Sequence, residues 1–192
     1  MVEMLQPSGT VTFLFSDIEG STPLWDKHHD DMQSSSALHD EILRRVIRGH
    51  GGYVFTTTGD GFAAAFGRAG RAIEAAVEVQ AELAAARFPV STPIRVRMGL
   101  HTGEAVERDG DYFGLAVVRA ARLMGIAQGG QILLSGPTAD IAQVELPAGS
   151  EIRPLGEVQL KGVGRAERVS ELRHPRSDRE SPELSGSGRP RG

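Results

Sequence analysis

The 192-residue sequence contains no cysteine and no long apolar run. Without cysteine the chain cannot form disulfide bonds, use a thiol in catalysis, or hold zinc or an iron–sulfur cluster through thiolates. No apolar stretch approaches the ~18 residues of a transmembrane helix. Residues 1–9 contain Glu3 and no basic residue ahead of an apolar stretch, which is not typical of a signal peptide. The sequence therefore predicts a soluble cytoplasmic protein without a membrane partner.

Positive charge is not in excess either. The chain has 21 Lys and Arg against 25 Asp and Glu, a formal net charge of −4. A surface built to neutralise nucleic-acid phosphates carries a surplus of basic residues. We therefore expect no nucleic-acid partner. The acidic balance also opposes the alternative of an RNA-binding sheet of ferredoxin-like topology.

What is present indicates one folded domain. The length corresponds to about one domain, and 40% of the residues are hydrophobic, enough for a sizeable core. Residues 174–192 contain three prolines and Leu184 as their only aliphatic residue, so they are predicted to form a disordered tail or linker. Residues 1–9 are an N-terminal extension, and residues 10–173 form the domain.

Hydrophobic patterning predicts an α+β fold. The predicted strands are 10–15, 53–57, 62–66, 94–106, 131–134, 152–160 and 167–172. The predicted helices are a long one that ends near His50, then 69–86, 116–126 and 138–144. Hairpins between crossover helices favour one mostly antiparallel sheet with a ferredoxin-like βαββαβ core and extra C-terminal strands.

Two aspartates, at a strand end and at a hairpin tip, are candidate metal ligands. Asp17 follows a buried strand and precedes the loop of Gly20, Ser21 and Thr22, and Asp60 lies at the tip of a predicted hairpin. In a ferredoxin-like sheet the crossover helix returns the chain beside its first strand, so both carboxylates can share one sheet edge. Two such carboxylates with no basic neighbour in sequence favour a hard divalent cation that also binds substrate phosphates.

Ordered motifs make the sequence similar to the class III adenylate/guanylate cyclase catalytic domain, in its actinobacterial, mycobacterial-type variant. The resemblance covers about residues 10–172. The motifs are Phe13-Leu14-Phe15-Ser16-Asp17-Ile18-Glu19-Gly20-Ser21-Thr22, Thr58-Gly59-Asp60-Gly61-Phe62, Arg97-Met98-Gly99-Leu100-His101-Thr102-Gly103, Asp111-Tyr112-Phe113-Gly114 and Arg119-Ala120-Ala121-Arg122-Leu123.

The resemblance implies an enzyme that converts ATP to cyclic AMP and pyrophosphate with two Mg²⁺ or Mn²⁺ ions per site. It implies a head-to-tail homodimer with both sites at the interface. One chain would supply the metal ligands Asp17, Asp60 and the carbonyl of Ile18, and the loop of Gly20, Ser21 and Thr22 would hold the triphosphate. The partner would supply Asp111 to read the base, Arg122 for the transition state and Lys161 for a phosphate.

Each of these residues also has a structural alternative. His101, within the third motif, is predicted to be a packed structural histidine. The structural alternatives are a helix N-cap for Asp17, turn residues for Asp60 and Asp111, a helix-surface charge for Arg122 and a solvated hairpin side chain for Lys161.

Two positions depart from the family pattern. The base-reading Lys would stand four residues before Asp60, where this chain has Thr56, and the ribose-orienting Asn would stand seven residues after Asp111, where it has Val118. Because a positioned hydrogen-bonding group is worth about 10²–10³ in rate, we expect low activity. The alternative is a catalytically degenerate cyclase fold that acts as a regulatory or nucleotide-binding module.

Overall fold

The computed structural model describes residues 6–176, which form five helices and nine strands. The helices are α1 (Ser21–Lys27), α2 (His29–Gly49), α3 (Ala69–Ala85), α4 (Leu115–Ile126) and α5 (Gly136–Ala142). The strands are β1 (Thr10–Ile18), β2 (Tyr53–Thr58), β3 (Gly61–Phe66), β4 (Val96–Glu104), β5 (Val106–Arg108), β6 (Asp111–Phe113), β7 (Ile132–Ser135), β8 (Glu151–Val158) and β9 (Glu167–Arg173).

Seven of these strands form one sheet in the order β2-β3-β1-β4-β7-β9-β8. Its pairs are antiparallel except for β4 with β7. The order β2-β3-β1-β4 is the ferredoxin-like core, and β8 and β9 are the extra C-terminal strands. The predicted fold class is therefore confirmed.

Helices cover both faces of the sheet. Side chains alternate along β1: Leu14 and Ile18 join the core beneath α2 and α3, whereas Val11 and Phe13 pack with Ala116 of α4. This period-2 alternation places α2, α3 and α5 on one face and α4 on the other. None of the helices formed by residues 6–176 is both long and apolar enough to cross a membrane.

The predicted strand 94–106 is wrong at its C-terminal end. The chain leaves β4 at Glu104, and residues 106–113 form a separate hairpin of β5 and β6. Asp109 and Gly110, between β5 and β6, have φ of 55° and 81°. Two consecutive positive φ angles match the right-handed twist of short paired strands, so the turn closes a hairpin of its own.

Two hydrogen bonds involve residues just outside the predicted domain of residues 10–173. His174, assigned from sequence to the tail, is buried, and its Nε2 donates to the carbonyl oxygen of Ala148 at 3.1 Å. In the predicted N-terminal extension, the carbonyl oxygen of Pro7 accepts a hydrogen bond from the Tyr112 hydroxyl. The rest of the predicted tail, residues 177–192, lies outside the described residues.

Candidate active site

The antiparallel pairing of β1 with β3 brings Asp17 and Asp60 to the same end of the sheet, where β1 ends and β3 begins. Ser16 stands opposite Phe62 in this pairing. Asp17 follows Ser16 directly, and Asp60 precedes Phe62 by two residues in the β2–β3 turn. The two carboxylates predicted to act together thus lie at the ends of neighbouring strands.

The Asp60 carboxylate has an unusual environment. Its Oδ2 is buried and has no hydrogen-bond partner among residues 6–176. A buried carboxylate oxygen without a donor is costly unless a cation compensates it. This orphaned oxygen fits a divalent metal ion. In the described part of the chain no three His, Cys, Asp or Glu side chains cluster as a ready-made metal cage, so remaining ligands would come from the main chain and from substrate phosphates.

Asp17 has a basic neighbour that the sequence did not reveal. Arg97 stands opposite Asp17 in the β1–β4 pairing. Its Nε and Nη2 donate to Asp17 Oδ2 at 3.1 and 2.6 Å. Asp17 thus has no basic neighbour in sequence but has one in the folded structure. The two residues lie 80 positions apart, and only the strand register, which local patterning does not determine, brings them together.

The loop after Asp17 is anchored by its main chain. The Ile18 side chain is buried in the core. Glu19 donates its N–H to the Arg95 carbonyl at 2.8 Å and accepts at Oε1 from Gly129 N–H at 2.9 Å. Gly20 has φ of 64° and directly precedes helix α1, which begins at Ser21 and includes Thr22.

Val118 and Arg122 lie on the outward face of α4. The helix packs so closely on β4 that a Cβ at Gly99 would stand 2.2 Å from the Met124 nitrogen. Ala120 is buried against the sheet, whereas Val118 is 38% exposed and Arg122 is exposed. Because residues four apart share a helix face, Val118 and Arg122 point the same way, away from the sheet that carries Asp17 and Asp60.

Lys161 lies in the β8–β9 turn beside the C-terminal part of α4. Its neighbours Leu160 and Val163 are buried in one cluster with Leu123 and Ala127. The Gln159 side chain closes the turn by donating to the carbonyl oxygen of Val163. Lys161 itself is exposed, so the structure holds its turn firmly and leaves the ammonium group accessible.

Thr56 and Asp111 lie on neighbouring elements. Their chain neighbours Phe55 and Tyr112 pack edge to face with ring centroids 5.1 Å apart. Asp111 Oδ1 accepts from the Tyr112 N–H at 2.7 Å. Thr56 is half-buried in β2, and its short side chain cannot reach as far as the Lys of the family pattern. The structure thus brings the two predicted base-reading positions to β2 and to the adjoining β5–β6 hairpin.

His101 is buried in β4, as predicted for a structural histidine. Its Nδ1 lies 2.8 Å from Ser135 Oγ. Burial and the nearby Arg119 guanidinium lower the pKa of His101 to about 4. The imidazole is therefore neutral at physiological pH.

Comparison with known proteins decides the family. The model of the adenylate and guanylate cyclase catalytic domain matches residues 3–171. The chain belongs to this family. The resemblance indicated by the motifs is thereby confirmed.

Relatives of this cyclase domain include bacterial and fungal proteins. An uncharacterized protein of Mycobacterium tuberculosis is 42% identical over 176 residues, which cover 91% of this chain and 59% of that protein. The adenylate cyclase of Lachancea kluyveri is 35% identical over 158 residues, 69% of this chain and 9% of that enzyme. The cyclase domain thus spans about three fifths of the mycobacterial relatives' length.

A solved structure shares the architecture of this cyclase domain. An adenylate cyclase from Trypanosoma brucei, solved in its monomeric state, superposes with a TM-score of 0.79 at 27% identity. The match covers 95% of this chain and 96% of that chain. The likeness therefore extends over the sheet, the helices on both faces and the C-terminal strands.

Proposed function

We propose that the protein is an adenylate cyclase that converts ATP to cyclic AMP and pyrophosphate. The observation that carries the proposal is the buried Asp60 oxygen, which has no hydrogen-bond partner in the described part of the chain and lies beside the end of the strand that bears Asp17. In a chain of the cyclase family, such a pair of carboxylates is the feature on which the chemistry depends.

Two Mg²⁺ or Mn²⁺ ions would be held by Asp17, Asp60 and the carbonyl of Ile18. When bound, such ions lower the pKa of an attacking hydroxyl and screen the charge of the leaving group. The main chain at Gly20, with Ser21 and Thr22, would receive the triphosphate. The ribose 3′-hydroxyl would lose its proton to solvent water as its oxygen forms a bond to the α-phosphorus, and the bond from that phosphorus to the departing pyrophosphate would break.

The site is completed by a second copy of the chain in a head-to-tail dimer. Arg122 points away from the sheet that carries the aspartates of its own chain, which supports a role in the site of the other copy. Leu115 and Val118 on the same face of α4 are 63% and 38% exposed. Arg122 would stabilise the charge that develops at the α-phosphate, and Lys161 would bind a phosphate oxygen.

Adenine is the base that this site suits. The free acceptor capacity of Asp111 matches the adenine amino group, whereas a carboxylate repels the O6 of guanine. Thr56 is too short to supply the hydrogen-bond donor that the family's Lys supplies. Selection of the base therefore depends on Asp111 alone. We propose a preference for ATP over GTP that is looser than in family members with the Lys.

The second candidate is a degenerate cyclase module that binds a nucleotide without turnover. Val118 favours it, because valine has no hydrogen-bonding group and stands exposed on the face of α4 that would orient the ribose. The reaction assay decides between the two candidates.

The deciding experiment measures cyclic AMP formed from ATP and Mn²⁺ across a range of protein concentrations. We expect slow formation whose rate per chain rises with concentration, because the dimer is the active species. Asp60→Asn abolishes it, whereas Asp31→Asn, at an exposed position on α2, leaves it unchanged. Binding of Mn²⁺·ATP without any cyclic AMP would identify the degenerate module instead.

A further inference from the structure

The guanidinium of Arg97 holds the carboxylate that the metal ion needs. Two of its N–H groups converge on one oxygen, Asp17 Oδ2, at 3.1 and 2.6 Å. The β1–β4 register places the two residues directly opposite each other. Their side chains are only 29% and 23% exposed, so solvent screens this pair less than an ion pair on the open surface.

A second contact fixes the guanidinium in place. Its Nη1 donates to the carbonyl oxygen of Gly125 at 3.4 Å. Gly125 belongs to the last turn of α4, where the outward carbonyls and the helix dipole favour a cation. Arg97 is thus anchored by a carboxylate and by a helix C-terminus at once. Its arrangement is built into the fold before any ligand arrives.

The two aspartates differ in their readiness for a metal ion. Asp60 Oδ2 is buried without a hydrogen-bond partner among the described residues, whereas Asp17 Oδ2 already accepts two N–H groups. A cation that approaches Asp17 meets the positive charge of Arg97 at close range, and it competes with Arg97 wherever it binds Oδ2. A metal ion that arrives with a triphosphate brings negative charge that offsets this repulsion, so a free metal ion is the species most disfavoured.

We propose that Arg97 competes with the metal ion for Asp17, so that it occupies the carboxylate in the metal-free protein and weakens binding of a metal ion alone. The proposal rests on the proposed function, since it takes Asp17 as a metal ligand. It adds a control on that site: the metal ligand is neutralised until the metal ion and the nucleotide arrive together.

The test titrates the 192-residue chain with Mn²⁺ alone and follows free Mn²⁺ by electron paramagnetic resonance up to millimolar concentration. We expect Arg97→Gln to bind Mn²⁺ about tenfold more tightly than wild type, which corresponds to about 1.4 kcal/mol. The matched control is Arg95→Gln, which removes the same charge from an exposed position two residues away. We expect it to change the affinity less than about twofold, as expected for a screened surface charge.

Further variants separate the outcomes. Asp17→Asn loses Mn²⁺ binding, and adding Arg97→Gln to it gives no gain. Arg97→Lys keeps the charge without the paired donors, and we expect it to bind Mn²⁺ with an affinity between those of wild type and Arg97→Gln. If thermal unfolding shows that Arg97→Gln does not fold, Arg97→Lys replaces it in the test. Equal affinity of Arg97→Gln and Arg95→Gln, or no binding to either at millimolar Mn²⁺, overturns the competition. If Asp17→Asn binds Mn²⁺ as wild type does, the metal site of the proposed function is itself wrong.

Discussion

The buried imidazole of His101 links the stability of the domain to acid pH. It stands in a chain of buried side chains joined by hydrogen bonds. The members of this chain are His101, Ser135, Thr138, Thr102 and Thr12. Because the pKa of His101 is about 4 in the folded protein and 6.5 is its ordinary value, protonation favours the unfolded chain.

The stability that depends on neutral His101 is fully present above pH 6.5 and is lost as the pH falls from 6.5 to 4. The loss is on the order of 3 kcal/mol, from 1.36 kcal/mol for each unit of pKa difference. Urea unfolding across this range measures it. His101→Asn flattens the slope relative to wild type, and His29→Asn, at an exposed position, keeps it; equal slopes in all three proteins contradict the assignment.

Asp60, the proposed metal ligand, is expected to lower the stability of the metal-free protein. Its buried Oδ2 lacks a hydrogen-bond partner among residues 6–176, and Asp60→Asn removes the negative charge of this carboxyl group. In metal-free buffer this change raises the free energy of unfolding by about 1 kcal/mol, while it abolishes metal-dependent binding of ATP. Asp17→Asn instead breaks the contact with Arg97 and gives no such gain. Chemical denaturation and Mn²⁺·ATP titration of both variants check the contrast.

At the scale of the elements, the packing of α4 depends on the residues of its inner face. Its inner face is fixed by Gly99 and by the buried Ala120 and Leu123, and none of these contacts involves Val118. Position 118 is therefore open to substitution without repacking. The face that carries Arg122 therefore stays in place whichever residue occupies position 118.

Val118→Asn raises kcat by one to two orders of magnitude, about 1.4–2.7 kcal/mol of barrier, with little change in KM. The amide joins Arg122 on one helix face, and better positioning of the ribose raises the frequency of productive attack geometry. Steady-state kinetics with Mg²⁺·ATP test this. Ile141→Asn is the control, since Ile141 is a similarly exposed apolar residue (43%) on α5. An unchanged kcat in a folded, dimeric Val118→Asn protein would show that the missing Asn does not limit the rate.

Which elements the sequence predicts well depends on whether their signal is local. The predicted helix 69–86 ends one residue later than α3, and the predicted strand 62–66 begins one residue later than β3, because apolar periodicity and the Gly59-Asp60-Gly61 turn are local features. The β5–β6 hairpin was missed, since three-residue strands have no periodicity to read. The contact between Arg97 and Asp17 was also missed, because it depends on a cross-strand register between distant segments.

At the scale of the whole molecule, the fold separates the candidate groups into two sets. Asp17 and Asp60 lie where β1 ends and β3 begins. Arg122 lies on the outward face of α4, and Lys161 lies in a turn beside that helix. A two-fold head-to-tail dimer would join one set from each copy, and it would create two equivalent sites. An isolated monomer would then have no activity, because it would hold only one half of each site.

The shared site is tested by mixing two inactive variants. Asp17→Ala damages the metal half and Arg122→Ala the opposite half, so a mixed dimer has one doubly damaged site and one intact site. If subunits exchange at random, half of the dimers are mixed, and we expect about a quarter of wild-type activity. Asp17→Ala mixed with Asp60→Ala is the matched control, because both changes damage the same half and every site stays incomplete. Cyclic AMP formation is measured after subunit exchange has been verified by mass spectrometry of labelled chains. Recovery in the first mixture alone supports the shared site, whereas no recovery, or equal recovery in both mixtures, contradicts it.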